Sequence, residues 1–155
     1  MRQSGLVSDI AVTIGHQEHE HLIIRVLGRM HPEARDRWDG NWLLSPIELA
    51  VGDFRGTITG AGLRGDELRV LRRGLERMHE NLAGDASLDS MEQWLDLKFN
   101  CDSAGRIEVT GAAYDHRGSG ANALHFSLQI DQTFLGPIIE SLKAVEATYE
   151  VFEGE

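Results

Sequence analysis

Leu124-His125-Phe126-Ser127-Leu128-Gln129-Ile130 sets four apolar side chains on one face of an extended chain and three polar ones on the other. The same period of two recurs upstream. Leu95, Leu97 and Phe99 alternate with Asp96, Lys98 and Asn100; after the turn signal Asp102-Ser103-Ala104-Gly105, Ile107 and Val109 alternate with Glu108 and Thr110. In the other half, Ile10, Val12 and Ile14 are followed by Leu22, Ile24 and Val26, then by Ile47, Leu49 and Val51. Gly52-Asp53 reads as a two-residue hairpin turn, with glycine supplying the positive φ of a type II′ turn. The return strand sets Phe54 and Ile58 against Arg55, Thr57 and Thr59. Clean alternation between short turns marks antiparallel strands wet on one face; buried parallel strands would be apolar throughout.

Two segments switch to the helical period. Leu68, Leu71, Leu75, Met78 and Leu82 form one stripe opposite a face rich in arginine and glutamate, with Asp66 as the expected N-cap and Gly84 as the stop. Ile138, Leu142, Val145 and Tyr149 form the second stripe, capped by Thr133 or opened by Pro137. The expected fold class is therefore α+β: an antiparallel sheet or sandwich-like layer carrying two amphipathic helices, in the order ββββ-α-βββ(β)-α. Trp42-Leu43 and Trp94-Leu95 sit at similar places in the two halves, a weak internal repeat.

A chain of 155 residues, 41% hydrophobic and 26% charged, suits one globular domain over 1–155, with an ordered core over about 8–150. A single cysteine suits a reducing compartment, and no leader or membrane-length apolar run is read, so a cytoplasmic location is expected. The net charge of −10 disfavours nucleic acid as a partner. The excess is uneven: residues 1–37 balance, 38–84 carry −1, and 85–155 carry −9. Such a field attracts a basic partner and speeds its association; it also keeps a protein dispersed.

Chemical motifs are few. Gly60-Ala61-Gly62-Leu63-Arg64-Gly65 matches G-x-G-x-x-G, but the strand before it reads as half of an antiparallel hairpin, and Asp66 and Glu67 would repel phosphate. His16, His19 and His21, with Glu18 and Glu20, form a run of potential metal ligands in a turn, and His31 is a further candidate. Nothing in the spacing fixes their geometry, so neither metal nor cofactor is expected. Cys101 keeps the apolar parity of Leu97 and Phe99 and reads as a buried thiol. No acid–base pair or nucleophile shows catalytic spacing, and an enzyme is not expected.

The candidate binding residues form two groups. Trp94, Asp96 and Lys98 share parity on an outward face, with Glu108 on the paired strand and Asp115 beyond it: an aromatic anchor with a charged rim, unless Trp94 packs beneath a helix. Trp38 and Asp39 lie in the least regular stretch, residues 28–42, where Trp38 and Trp42 either bind or cover a sheet edge.

Two blocks carry a resemblance. Trp38-Asp39-Gly40-Asn41-Trp42-Leu43 is similar to the D-x-N-W-L block of the WapI-family immunity proteins, small and acidic. Asp131-Gln132-Thr133-Phe134-Leu135-Gly136-Pro137 resembles that family's D-Q-T-[YF]-L-x-P block, so the likeness spans roughly residues 8–150. It departs at Gly40 and Gly136 and in the length of the 28–37 loop. The resemblance implies a non-enzymatic inhibitor that binds a toxin domain, often an RNase. A basic toxin domain is thus the expected partner, with Asp96, Glu108 and Asp115 facing its phosphate-binding groups. The alternative is a small-molecule or metal-binding module built on residues 16–42. Oligomeric state is not legible.

Overall fold

Residues 9–154 are described by a computed structural model. Four strands of the first half form a sheet of order β1-β2-β5-β6: β1 Ile10–Gly15, β2 His21–Val26, β5 Ile47–Val51 and β6 Phe54–Ile58. Four of the second half form another of order β11-β10-β9-β8: β8 Gly84–Asp89, β9 Leu95–Cys101, β10 Arg106–Tyr114 and β11 Ala123–Asp131. Each is an antiparallel meander followed by a helix, α1 Gly65–Asn81 and α2 Leu135–Thr148. The α+β reading holds, and the second meander has four strands, the fourth being β8.

Three short strands depart from the expected order. β3 Gly28–Arg29, β4 Trp42–Leu44 and β7 Gly62–Arg64 make a small sheet of order β3-β4-β7, so seven strands precede α1 where four were expected. At two or three residues each they are too short to show a period. The two halves do repeat as meander plus helix, but Trp42 belongs to this inserted sheet and Trp94 to the turn before β9, so the two tryptophans are not equivalent.

The apolar sides of both large sheets and both helices meet in one cluster, including Val12, Ile24, Leu49, Leu71, Phe99, Val109, Leu128 and Leu142. α1 packs on β8 and α2, and α2 packs on β1. The helix ends differ from the sequence reading. Arg64 is the N-cap of α1, its N–H donating to the Glu67 carboxylate at 3.0 Å, while Asp66 lies inside the first turn. Leu82, left-handed at φ 53°, closes the helix ahead of Gly84. Asp131 caps the 3₁₀ turn Gln132–Phe134 through the Thr133 N–H, and this turn runs into α2, putting Pro137 in the first turn, where its missing donor costs nothing. Gly52 has φ 58° with no positive φ at Asp53, as a type II′ turn requires.

Arg64 ties the inserted sheet to α1. Its side chain is 2% exposed, donates to the carbonyls of Trp38 at 2.7 Å and Arg37 at 2.6 Å, pairs with Asp66 at 3.0 Å and lies 5.0 Å over the Trp42 ring. Asn41, also buried, reaches the other way: its amide brackets Phe152, accepting from the N–H and donating to the carbonyl. Arg29 donates to the carbonyls of Gly40 and Glu150 and stacks on Phe152, and a Cβ at Gly40 would collide with that ring. The D-x-N-W-L block is thus a structural clasp for residues 150–154.

Arg64→Met should cost about 2 kcal/mol or more in urea unfolding, since the Trp38 carbonyl loses its donor, the Arg37 carbonyl keeps only the Asn41 amide and Asp66 loses its cation. Arg64→Lys should recover little of it, because an ammonium cannot reproduce the fork; recovery to within about 1 kcal/mol would refute this account of the clasp.

Between the helices, Glu146 accepts from Arg69 at 2.8 Å and Arg72 at 2.9 Å. Burial pushes the Glu146 carboxyl up, but the two arginines outweigh it and hold it below its ordinary value of 4.5. A depressed folded pKa gives stability that is present above the unfolded value and lost as pH falls through the folded one. Unfolding measured from pH 7 downward should therefore show a loss beginning near pH 4.5 that Glu146→Gln, less stable at neutral pH by about 1–2 kcal/mol, shows more weakly.

Candidate functional site

The outward face of the β8–β11 sheet follows directly from strand parity. Alternation sends Leu95, Leu97, Phe99, Ile107 and Val109 into the core and leaves Asp96, Lys98, Asn100, Glu108 and Thr110 outside. Register then decides neighbours. Asp96 stands directly opposite Asp89 on β8 and Ala112 on β10, Lys98 opposite Ser87 and Thr110, and Glu108 opposite Asn100 and Gln129. Asp96 and Glu108 therefore share the face as expected, with Lys98 and Thr110 between them.

Ala112 is small, so the sheet dips between its neighbours. The depression holds about 600 Å³ and is bordered by Asp85, Asp89, Asp96, Lys98, Tyr114 and His125. Two carboxylates directly opposed across a strand pair repel each other. Burial, then the Asp89 charge, pushes the Asp96 carboxyl above its ordinary value, against the hydrogen bond donated by the Tyr114 hydroxyl at 3.5 Å. A guanidinium or ammonium entering the dip would relieve that repulsion. Glu108 borders an adjoining hollow with Asn100, Asp102, Arg106 and Gln129, and accepts from Ser127 at 3.1 Å.

The remaining candidates lie elsewhere. Trp94 does not join the face: it precedes β9 and is only 8% exposed within the core cluster, so the expected aromatic anchor beside Asp96 is absent. Its ring borders a cleft of about 270 Å³ with Met30, His31, Trp42, Glu92 and Arg117, and its buried indole N–H has no hydrogen-bond partner. Strand parity does not reach residue 94, because the strand begins at Leu95; the Ser90 hydroxyl accepts both the Trp94 and Leu95 N–H and turns the chain there. Asp115 sits past the end of β10, where Asn122 and then His116 hold its carboxyl below the ordinary range. Trp38 is 54% exposed with the Arg37 guanidinium 4.7 Å over its ring, while the N–H groups of Trp38 and Asp39 are held by the Asp36 carboxylate. Trp42 is half-buried under Arg64.

Nor does the 16–42 region form one pocket. The rings of His16 and His19 lie 4.6 Å apart, tilted at 43°, in the β1–β2 turn, His21 is buried in β2, and His31 borders the tryptophan cleft. Among the described residues no three His, Cys, Asp or Glu side chains are grouped to hold a metal ion. The G-x-G-x-x-G stretch is spent on β7 and the α1 cap, where the Asp66 and Glu67 carboxylates already accept the N–H groups of Glu67 and Arg64. Cys101 is buried, and burial raises its thiol pKa. Among the described residues no helix is long and apolar enough to cross a membrane.

These placements separate the two tryptophans energetically. Trp94→Ala should cost about 3–5 kcal/mol in denaturant unfolding, and Trp38→Ala less than about 0.5 kcal/mol. Comparable losses for both would mean that Trp38 is packed.

Two solved structures resemble the chain. One, described as crystal structures of Trypanosoma bruciei MRP1/MRP2, is 10% identical over 97% of each chain with a TM-score of 0.47. The other, described as a guide-RNA-binding protein complex bound to a gRNA, is 10% identical over 90% of each chain with a TM-score of 0.49. No curated protein sequence matches. The family model of the WapI-like immunity proteins matches residues 13–150, from within β1 to just past α2, and takes in both Asn41 and the Asp131 cap. The chain belongs to the immunity protein WapI-like family.

Proposed function

We propose that this chain neutralises a toxin domain in the cytoplasm by binding it, without catalysis, and that the outward face of β8–β11 is the docking surface. The target on this reading is a basic domain, such as a nuclease whose cationic groups hold phosphate. Family membership supports the toxin-immunity role in general. The observation that carries the finer reading is the dip over Ala112, where Asp89 and Asp96 oppose each other with Asp85 nearby and Glu108 on the same face. Basic side chains of the toxin would enter this face and satisfy carboxylates that the fold leaves in mutual repulsion. The charge of −9 over residues 85–155 steers the approach, and Asp115 contributes to that field from outside the face. Trp38 with Asp39 offers a separate exposed anchor in the 28–42 loop.

The test begins by reading the genes beside this chain's own for a toxin domain, which is then purified and used as the partner. Surface plasmon resonance at low salt should show Asp96→Lys/Glu108→Lys associating about tenfold more slowly than wild type or worse, with the gap narrowing as salt rises. Circular dichroism of the double variant should be unchanged, because both positions are on the wet side of the sheet. An unaltered association rate would remove this face from the interface.

A further inference from the structure

The edge of the first sheet is built differently from the acidic face. β6 is the terminal strand, and its hydrogen-bonding direction is set by its partners. The Arg25 N–H donates to the Pro46 carbonyl, so alternate β5 residues Glu48 and Ala50 bond to β2, leaving Ile47, Leu49 and Val51 to bond β6. These three stand opposite Ile58, Gly56 and Phe54. The backbone groups of Arg55 and Thr57 therefore point off the sheet, and among the described residues they meet no hydrogen-bond partner.

The side chains add a second observation. Phe54, Gly56 and Ile58 lie on the core side of the sheet, beside Val51, Leu49 and Ile47, yet Phe54 is 62% exposed. The opposing layer stops at Ala113 and Leu124, leaving an apolar groove of about 290 Å³ bordered by Leu49, Phe54, Ile58, Ala113 and Leu124. A Cβ at Gly56 would meet nothing within 4 Å. The strand has no proline, lysine or bulge to guard its edge.

We propose that β6 pairs antiparallel with β6 of a second copy of this chain about a two-fold axis at Gly56, joining the two sheets into one of eight strands. The edge is self-complementary in this register. Arg55 falls opposite Thr57 of the other copy and each exchanges both backbone hydrogen bonds, four in all. Phe54 falls opposite Ile58 on the core side, closing each groove with the other's aromatic ring. Local charge suits this occupant: Asp53 and Arg55 offset each other along the edge, and the carboxylate bordering the groove, Asp115, is already held by Asn122 and His116, so two acidic chains can meet here without facing like charges directly.

Sedimentation of the full chain from about 1 to about 500 µM should show a monomer–dimer equilibrium. Thr57→Pro removes one off-sheet N–H without touching the β5–β6 ladder and should weaken the dimer at least tenfold, as should Phe54→Asp. Gly56→Cys sets the new thiols opposite each other and should give a covalent dimer under mild oxidation; Arg55→Cys sets them on the diagonal, about 7–8 Å apart, and should not. The native Cys101 is buried and does not compete. A monomer throughout, a dimer insensitive to Thr57→Pro, or stronger cross-linking at 55 than at 56 would each overturn the proposal. Loss of toxin capture by Thr57→Pro in a chain that stays monomeric would overturn it too and assign the groove to the toxin.

Discussion

A guanidinium buried to 2% exposure is a costly thing to place in a small protein, and the packing around Arg64 depends on how that cost is offset. Every side of the group is satisfied: two carbonyls from the 37–38 turn, one carboxylate from α1 and one aromatic face. Because those partners come from three places in the chain, Arg64 fixes the 28–42 loop, the small sheet and the first helix in one arrangement. Remove it and the Trp38 carbonyl loses its donor, while the Arg37 carbonyl is left to the Asn41 amide alone.

That rigid corner lets the two large sheets be simple. Each half is a meander feeding a helix, and the helices meet through two arginines of α1 on one glutamate of α2. With the apolar sides committed to the core, specificity is left to the wet sides and the edges. The two available surfaces differ in character: one face carries opposed carboxylates, and one edge is apolar with its backbone groups free.

Long alternating strands were legible because parity alone determines which side chains are wet. Asp96 and Glu108 were correctly placed together for that reason, as were the buried Cys101 and the Gly52 turn. What escaped was everything held by side-chain-to-backbone bonds. Trp94 kept the right parity but lies beyond the end of its strand, because the Ser90 hydroxyl turns the chain. Arg64 stood inside a glycine-rich stretch, and nothing local distinguishes it from Arg69 or Arg72; its burial depends on the distant carbonyls that it meets. Asn41 stood in a block resembling a family motif, but its role as a clasp needed Phe152 beside it. Edge exposure at β6 was likewise invisible, since Phe54 alternates like a core residue and only the extent of the opposing layer leaves it bare.

The clasp between Asn41 and Phe152 also joins residues 111 positions apart. During synthesis the first meander and α1 emerge long before residues 150–154, so the 28–42 loop has no Phe152 to close on until α2 has been made. Both meanders can form from local pairings, whereas this contact carries a large loop-closure entropy and belongs to the last stage of folding. A chain made only as far as α2 would thus hold the residues of both sheets and both helices and still leave its Trp38 loop unlatched.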